Sequence, residues 1–170
     1  MHGNNVKSRF ASMAAILIGL NLFFGTLGVA GEIDSLPDWT LQGADGKSLN
    51  FYRDSAERPA VLLFWATWCP YCRRLMPRLG KVRQEFATEV NFYTLNIWEN
   101  GDPAAYLEDN GYGFHLLLEA DEVVETYGIK GTPGLFVVDT NQRVIYVRRS
   151  GTKPDQVESN LKFALSHLAM

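Results

Sequence analysis

Cys69 and Cys72 are the only cysteines in this chain of 170 residues, and two residues separate them. They follow the apolar run Ala60-Val61-Leu62-Leu63-Phe64-Trp65 and open a segment with helical spacing. On the first turn of a helix, that separation brings two sulfurs close enough to bond. It also sets the first at the positive end of the helix dipole, where a thiolate is favoured. No other cysteine exists to build a disulfide framework, and a loop so short closes little chain and stabilises little. The pair is therefore there to react, and the chemistry it implies is thiol–disulfide exchange.

Other uses of the same spacing fail on neighbouring residues. A zinc site needs a second pair of ligands, and beyond residue 30 only His115 and His167 are on offer. Haem attachment needs a histidine directly after the second cysteine, where Arg73 stands. A peroxidase site wants threonine three places before its cysteine, and Thr67 is two before Cys69. No metal and no cofactor are expected. Setting aside Lys7 and Arg9 leaves 14 basic against 19 acidic residues, a net charge of −5, which argues against a nucleic-acid partner. Hydrophobic content of 46% with 21% charge is that of a single ordinary core.

The elements that must hold the thiols can be placed by pattern. Asp38-Trp39-Thr40-Leu41 and Ser48-Leu49-Asn50-Phe51 flank Asp45-Gly46, a hairpin signal. Ala60 to Trp65 is apolar without alternation, as a strand covered on both faces should be. From Pro70 onward Leu75, Leu79, Val82 and Phe86 recur at helical spacing, with Pro77 expected to kink the helix. Val90 to Ile97 reads as a second buried strand, Pro103 to Asn110 as a short helix, and Leu116 to Leu118 as a short apolar run. Glu122 to Tyr127 is a helical turn or two, and Gly131-Thr132-Pro133-Gly134 breaks the chain before the strand Leu135 to Val138. Val144 to Val147 follows a turn, and Thr152 with Asp155 caps a last helix carrying Val157, Leu161, Leu165 and Leu168. The order predicts an α/β domain: a mixed sheet with helices on both faces and an added N-terminal hairpin.

The start of the chain follows a different pattern. Lys7 and Arg9 precede a charge-free stretch from Phe10 to Gly31, with small residues at its end. Those are the parts of a secretory signal, with cleavage expected after Ala30; uncleaved, the stretch is long enough to anchor the chain in a membrane. Residues 1–30 are thus expected to be a signal peptide or signal anchor. Residues 37–168 are expected to form the working domain outside the cytoplasm, in a bacterial periplasm.

Phe64-Trp65-Ala66-Thr67-Trp68-Cys69-Pro70-Tyr71-Cys72, Pro77 within the helix, and Gly131-Thr132-Pro133 before a strand together resemble the thioredoxin superfamily. The hairpin and the export signal resemble its extracytoplasmic TlpA/ResA-like branch. The resemblance implies the thioredoxin fold and a protein thiol–disulfide oxidoreductase. It makes Cys69 the nucleophile, Cys72 the resolving thiol, and Pro133 a cis proline facing the site. Thr132 would lend backbone polar groups to an extended substrate, with Trp68, Pro70 and Tyr71 beside it. Where cytoplasmic thioredoxins keep a buried aspartate this chain has Leu63, so Glu99, in Asn96-Ile97-Trp98-Glu99, is the expected proton carrier. The dipeptide Pro70-Tyr71 is spelled as in glutaredoxins, a departure from the branch that bears on potential and direction. The partners implied are a protein disulfide or dithiol and a separate redox partner. Reduction of extracytoplasmic disulfides, apocytochrome c among them, is the expected direction. A disulfide-donating oxidant and a redox-silent binding module are the alternatives.

Overall fold

The computed structural model describes residues 35–168; the expected export segment, residues 1–30, lies outside them. Strands β1 (Thr40–Gln42) and β2 (Ser48–Asn50) form the hairpin, and a helical turn, α1 (Phe51–Ser55), follows at once. Here the strand expected to run through Phe51 stops one residue earlier. Asn50 takes the N-cap, its side-chain oxygen accepting the Arg53 N–H at 3.0 Å, and a capped start is what turns the chain into a helix.

Strand β3 (Ala60–Trp65) lies at the centre of a five-stranded sheet with β4 (Asn91–Asn96), β5 (His115–Leu117), β6 (Gly134–Val138) and β7 (Val144–Val147). The spatial order is β5-β4-β3-β6-β7, with β3, β4 and β5 parallel and β6 and β7 antiparallel to their neighbours. All six residues of β3 are buried. Successive side chains point to opposite faces, so Val61, Leu63 and Trp65 join the core beneath one set of helices while Leu62 and Phe64 join the other. A strand wedged between two cores has no solvent face to alternate towards. Each such side chain contributes about 1.5–3 kcal/mol by burial.

The first core is closed by α2 (Pro70–Phe86), α3 (Pro103–Asp109) and α5 (Pro154–Ser166), through Leu75, Met76, Leu79, Val82, Leu107, Val157, Leu161 and Leu165. The second is closed by the hairpin, α1 and α4 (Asp121–Thr126), through Trp39, Phe51, Val123, Val124 and Tyr127. This is the mixed sheet covered on both faces that the sequence predicts, and it is the thioredoxin fold.

Helix α2 runs through Pro77 as one element; the proline removes one backbone bond, and its ring is exposed to solvent. One local expectation changes, at the start of α5. Thr152 does not cap α5: its hydroxyl donates to the Arg149 carbonyl at 2.8 Å. The cap position is Lys153, whose N–H reaches Gln156 Oε1 at 3.4 Å, with Pro154 opening the helix. Among the described residues no helix is long and apolar enough to cross a membrane.

Candidate active site

The end of β3 and the start of α2 put Cys69 at the helix N-cap with extended backbone, and Pro70 at the first helical position. A helix start leaves its first N–H groups without partners. Cys69 Sγ meets one of them, accepting the Cys72 N–H at 3.1 Å. Cys69 and Cys72 form a disulfide with their Cα atoms 5.3 Å apart. Both are enclosed, Cys69 at 2% exposure and Cys72 at 0%. In the disulfide form exposure barely separates them. What separates them is the helix end, because only the Cys69 sulfur has a backbone donor.

The turn before Cys69 is held by the loop after β4. Glu99 accepts five hydrogen bonds: from the Thr67 N–H at 2.8 Å and hydroxyl at 2.6 Å, from the Asn96 side-chain amide at 2.7 Å, and from the Asn100 and Gly101 N–H groups at 2.9 Å each. Partial burial pushes the Glu99 pKa up, but the bonds from Thr67, Asn96 and Gly101 together outweigh it and bring it down to about 2. A carboxylate so held stays ionised at neutral pH and has few lone pairs left to serve a thiol. That setting is an anchor's, where the sequence reading expects a proton carrier.

The remaining polar group of Thr67 is used as well, its carbonyl accepting from Arg73 Nε at 2.9 Å. Trp68 is partly exposed, and its indole N–H donates to the Trp98 carbonyl at 2.7 Å. Trp98 itself has φ +49°, and the Asp121 carboxylate accepts its N–H at 2.9 Å. The left-handed backbone of a bulky residue costs on the order of 1 kcal/mol and persists only where its surroundings fix it. Thr67, Asn96 and Gly101 escaped the sequence reading. The one signal for them was Asn96, a polar side chain closing an otherwise buried strand.

Gly101 is the tightest point of this bracket, since a Cβ there would stand 2.6 Å from Thr67 Oγ1. That oxygen cannot retreat without giving up its 2.6 Å bond to Glu99. Gly101→Ala is expected to destabilise the chain by about 1–3 kcal/mol and to slow thiol–disulfide exchange. Denaturant unfolding, read beside the exchange rate, checks both.

On the other side of the thiols the Thr132-Pro133 bond is cis, as expected. Thr132 and Pro133 line a groove of about 480 Å³ with Tyr71 and Leu75, so the turn and the dipeptide share one surface. Tyr71 is exposed, with the Arg74 guanidinium 4.5 Å from its ring centroid. His115 is exposed at the start of the edge strand β5, away from this constellation. Among the described residues no cluster of side chains could hold a metal ion.

The sequence profile of the AhpC/TSA family matches residues 33–147. The thiol-disulfide oxidoreductase ResA of Halalkalibacterium halodurans is 23% identical over 158 residues, covering 88% of this chain and 89% of that protein. The protein of the same name from Geobacillus thermodenitrificans is 25% identical over 134 residues, covering 74% of each. A solved structure from Chlorobium tepidum, assigned as the thiol:disulfide interchange protein DsbE, superposes with a TM-score of 0.70 at 24% identity. It covers 81% of this chain and 96% of its own.

Proposed function

As the chain belongs to the AhpC/TSA family, we propose that it is a protein thiol–disulfide oxidoreductase acting through Cys69 and Cys72. The observation that carries this reading is the Cys69 sulfur at the start of α2, bonded to Cys72 and receiving the Cys72 N–H. In the reduced chain that N–H and the helix end stabilise a Cys69 thiolate, the form that attacks.

The reaction balances as follows. Cys69 Sγ attacks one sulfur of a partner's disulfide; the partner's S–S bond breaks, a mixed disulfide forms, and the departing thiolate takes up a proton. Cys72, deprotonated in turn, attacks Cys69 Sγ, which frees the second partner thiol and closes the Cys69–Cys72 disulfide. Two electrons have passed to the partner, and a separate dithiol returns the chain to its reduced form. Trp68, Pro70 and Tyr71 border the attacked bond, while Thr132 and Pro133 offer backbone for an extended partner segment to add as a strand.

Glu99 acts by position. It fixes Thr67 and hence the turn that aims Cys69. The basic, then charge-free N-terminal stretch supports export, with the domain working in the periplasm, freed by cleavage or tethered by its signal segment. There the outcome is reduction of extracytoplasmic disulfides, as the likeness to the ResA proteins supports.

Two measurements test the reading. The reduced chain is expected to reduce insulin disulfides, and a folded protein with no such activity would reject the proposal. Under limiting iodoacetamide at neutral pH, Cys69 is expected to alkylate at least about tenfold faster than Cys72, since only its thiolate has the helix end. Peptide mapping at partial reaction reads the ratio, and equal labelling, or Cys72 first, would overturn the assignment of roles.

A further inference from the structure

If Cys69 and Cys72 exchange disulfides with a polypeptide, as proposed above, the groove beside them bears on which polypeptide. Its walls are Tyr71 and Leu75 on one side, the Thr132-Pro133 turn, and the loop from Ser150 to Pro154. Arg74, Arg148 and Lys153 line it, and no carboxylate does. Three cations gathered in one place run against the net charge of −3 that the whole chain carries.

Four of the eleven other lysines and arginines among the described residues have acidic partners. Arg78 meets Glu158, Lys162 meets both Glu85 and Glu158, and Arg143 meets Asp139. Among the described residues, none of the three groove cations is in a salt bridge. Arg148 is the most telling of them. Its Nη1 donates to the Pro133 carbonyl at 3.2 Å and its Nη2 to the Thr152 carbonyl at 3.4 Å, so the guanidinium is fixed across two walls. Both partners are neutral, the side chain is partly buried, and burial lowers its pKa. Its charge is oriented but not compensated. Arg74 is kept beside the dipeptide by its contact with the Tyr71 ring. Guanidinium groups held in place without a counter-ion suit a carboxylate, which they bind through paired N–H groups.

We propose that this groove binds an acidic segment of the partner polypeptide, with carboxylates within a few residues of the disulfide that Cys69 attacks. At about 480 Å³ it has room for more than one carboxylate side chain. The Thr132-Pro133 wall is where an extended segment would lie. Charge complementarity at this distance from the thiols selects partners by rate of capture.

The test uses the reduced full chain and three synthetic peptides, each closed by one disulfide and flanked by glutamates, glutamines or lysines. Single-turnover release of peptide thiol is followed at about 10 mM salt and again at about 0.5 M. At low salt the glutamate peptide is expected to react at least tenfold faster than the glutamine peptide, with the lysine peptide slowest. High salt is expected to bring the three together. Arg74→Gln with Arg148→Gln is expected to cut the glutamate-to-glutamine ratio below threefold.

Equal rates for the three peptides, or the lysine peptide fastest, would overturn the acidic segment and leave the exchange reading standing. A folded double variant with the preference intact would do the same. No reaction with any peptide would overturn the exchange reading itself. Glutathione disulfide reacting faster than the glutamate peptide would replace the polypeptide with a small anionic disulfide. The wild-type comparison stands even if the variant does not fold.

Discussion

Cys69→Ser is expected to abolish disulfide exchange, by about a thousandfold or more, as removal of one member of a catalytic unit does elsewhere. Cys72→Ser is expected to fail differently. It retains the thiolate at the start of α2, so it can still break a partner's disulfide, but nothing remains to release the partner from Cys69. The mixed disulfide should therefore accumulate, stable to gel electrophoresis without reductant and dispersed by dithiothreitol. Insulin reduction measures the first effect and a mass shift of one partner per chain the second. If Cys72→Ser exchanged freely while Cys69→Ser trapped partners, the nucleophile would be the buried second thiol. Run in cells, the trapping variant also identifies what the chain acts on, and counting acidic residues beside the captured cysteines bears on the groove of Arg74, Arg148 and Lys153.

The second large effect falls on Glu99. Glu99→Ala leaves the Thr67 N–H and hydroxyl and the Asn96 amide without their acceptor. Unpartnered, largely buried donors cost about 1–3 kcal/mol each where water cannot replace the bond. The site is open enough for partial rescue, so a loss of about 2–3 kcal/mol in unfolding free energy is expected. Exchange should slow with it, as Thr67 and the turn to Cys69 lose their fixed position.

The pH dependence has a definite sign. The folded pKa, about 2, lies below the ordinary value of 4.5, so the stabilisation is present above pH 4.5 and is lost as pH falls towards 2. At full strength the shift is worth about 3 kcal/mol; partial solvent screening trims this to about 1–2 kcal/mol. Glu99→Gln should flatten the stability curve between pH 4.5 and 2 and leave the neutral-pH profile of exchange unchanged in shape. A profile that changed shape near neutrality would restore Glu99 as the proton carrier.

How far the sequence could be read depended on whether a feature was local. Strand β3 was legible because two faces bury all six of its residues, which leaves an apolar run without alternation. Helix α2 was legible because Leu75, Leu79 and Val82 keep one face against the core. The hairpin showed in Asp45-Gly46, where Gly46 has φ +77°. Helix α1 did not show, since five residues are too few for a period, and Asn50 signals its cap only once the strand is known to end there. The bracket on Thr67 joins residues 32 positions apart, and the groove joins residues 74, 133, 148 and 153. Contacts of that kind are set by the order of strands in the sheet, which no window along the chain contains.

The two margins of that sheet differ in a way that limits how copies of the chain could aggregate. At β5 the hairpin turns back over the outer strand: the Ala44 N–H bonds the Leu116 carbonyl at 3.0 Å, and the Leu118 N–H the Gln42 carbonyl at 2.9 Å. At β7 the cover among the described residues is a single bridge, Ser35 to Arg143 at its start, and Ile145 and Val147 are more than 40% exposed. Unpaired strand edges are where sheets join. A sheet open on both sides can add copies indefinitely and grow into a fibre. The small hairpin before the first central strand thus acts as a guard on the β5 margin, occupying backbone groups that another chain would otherwise meet.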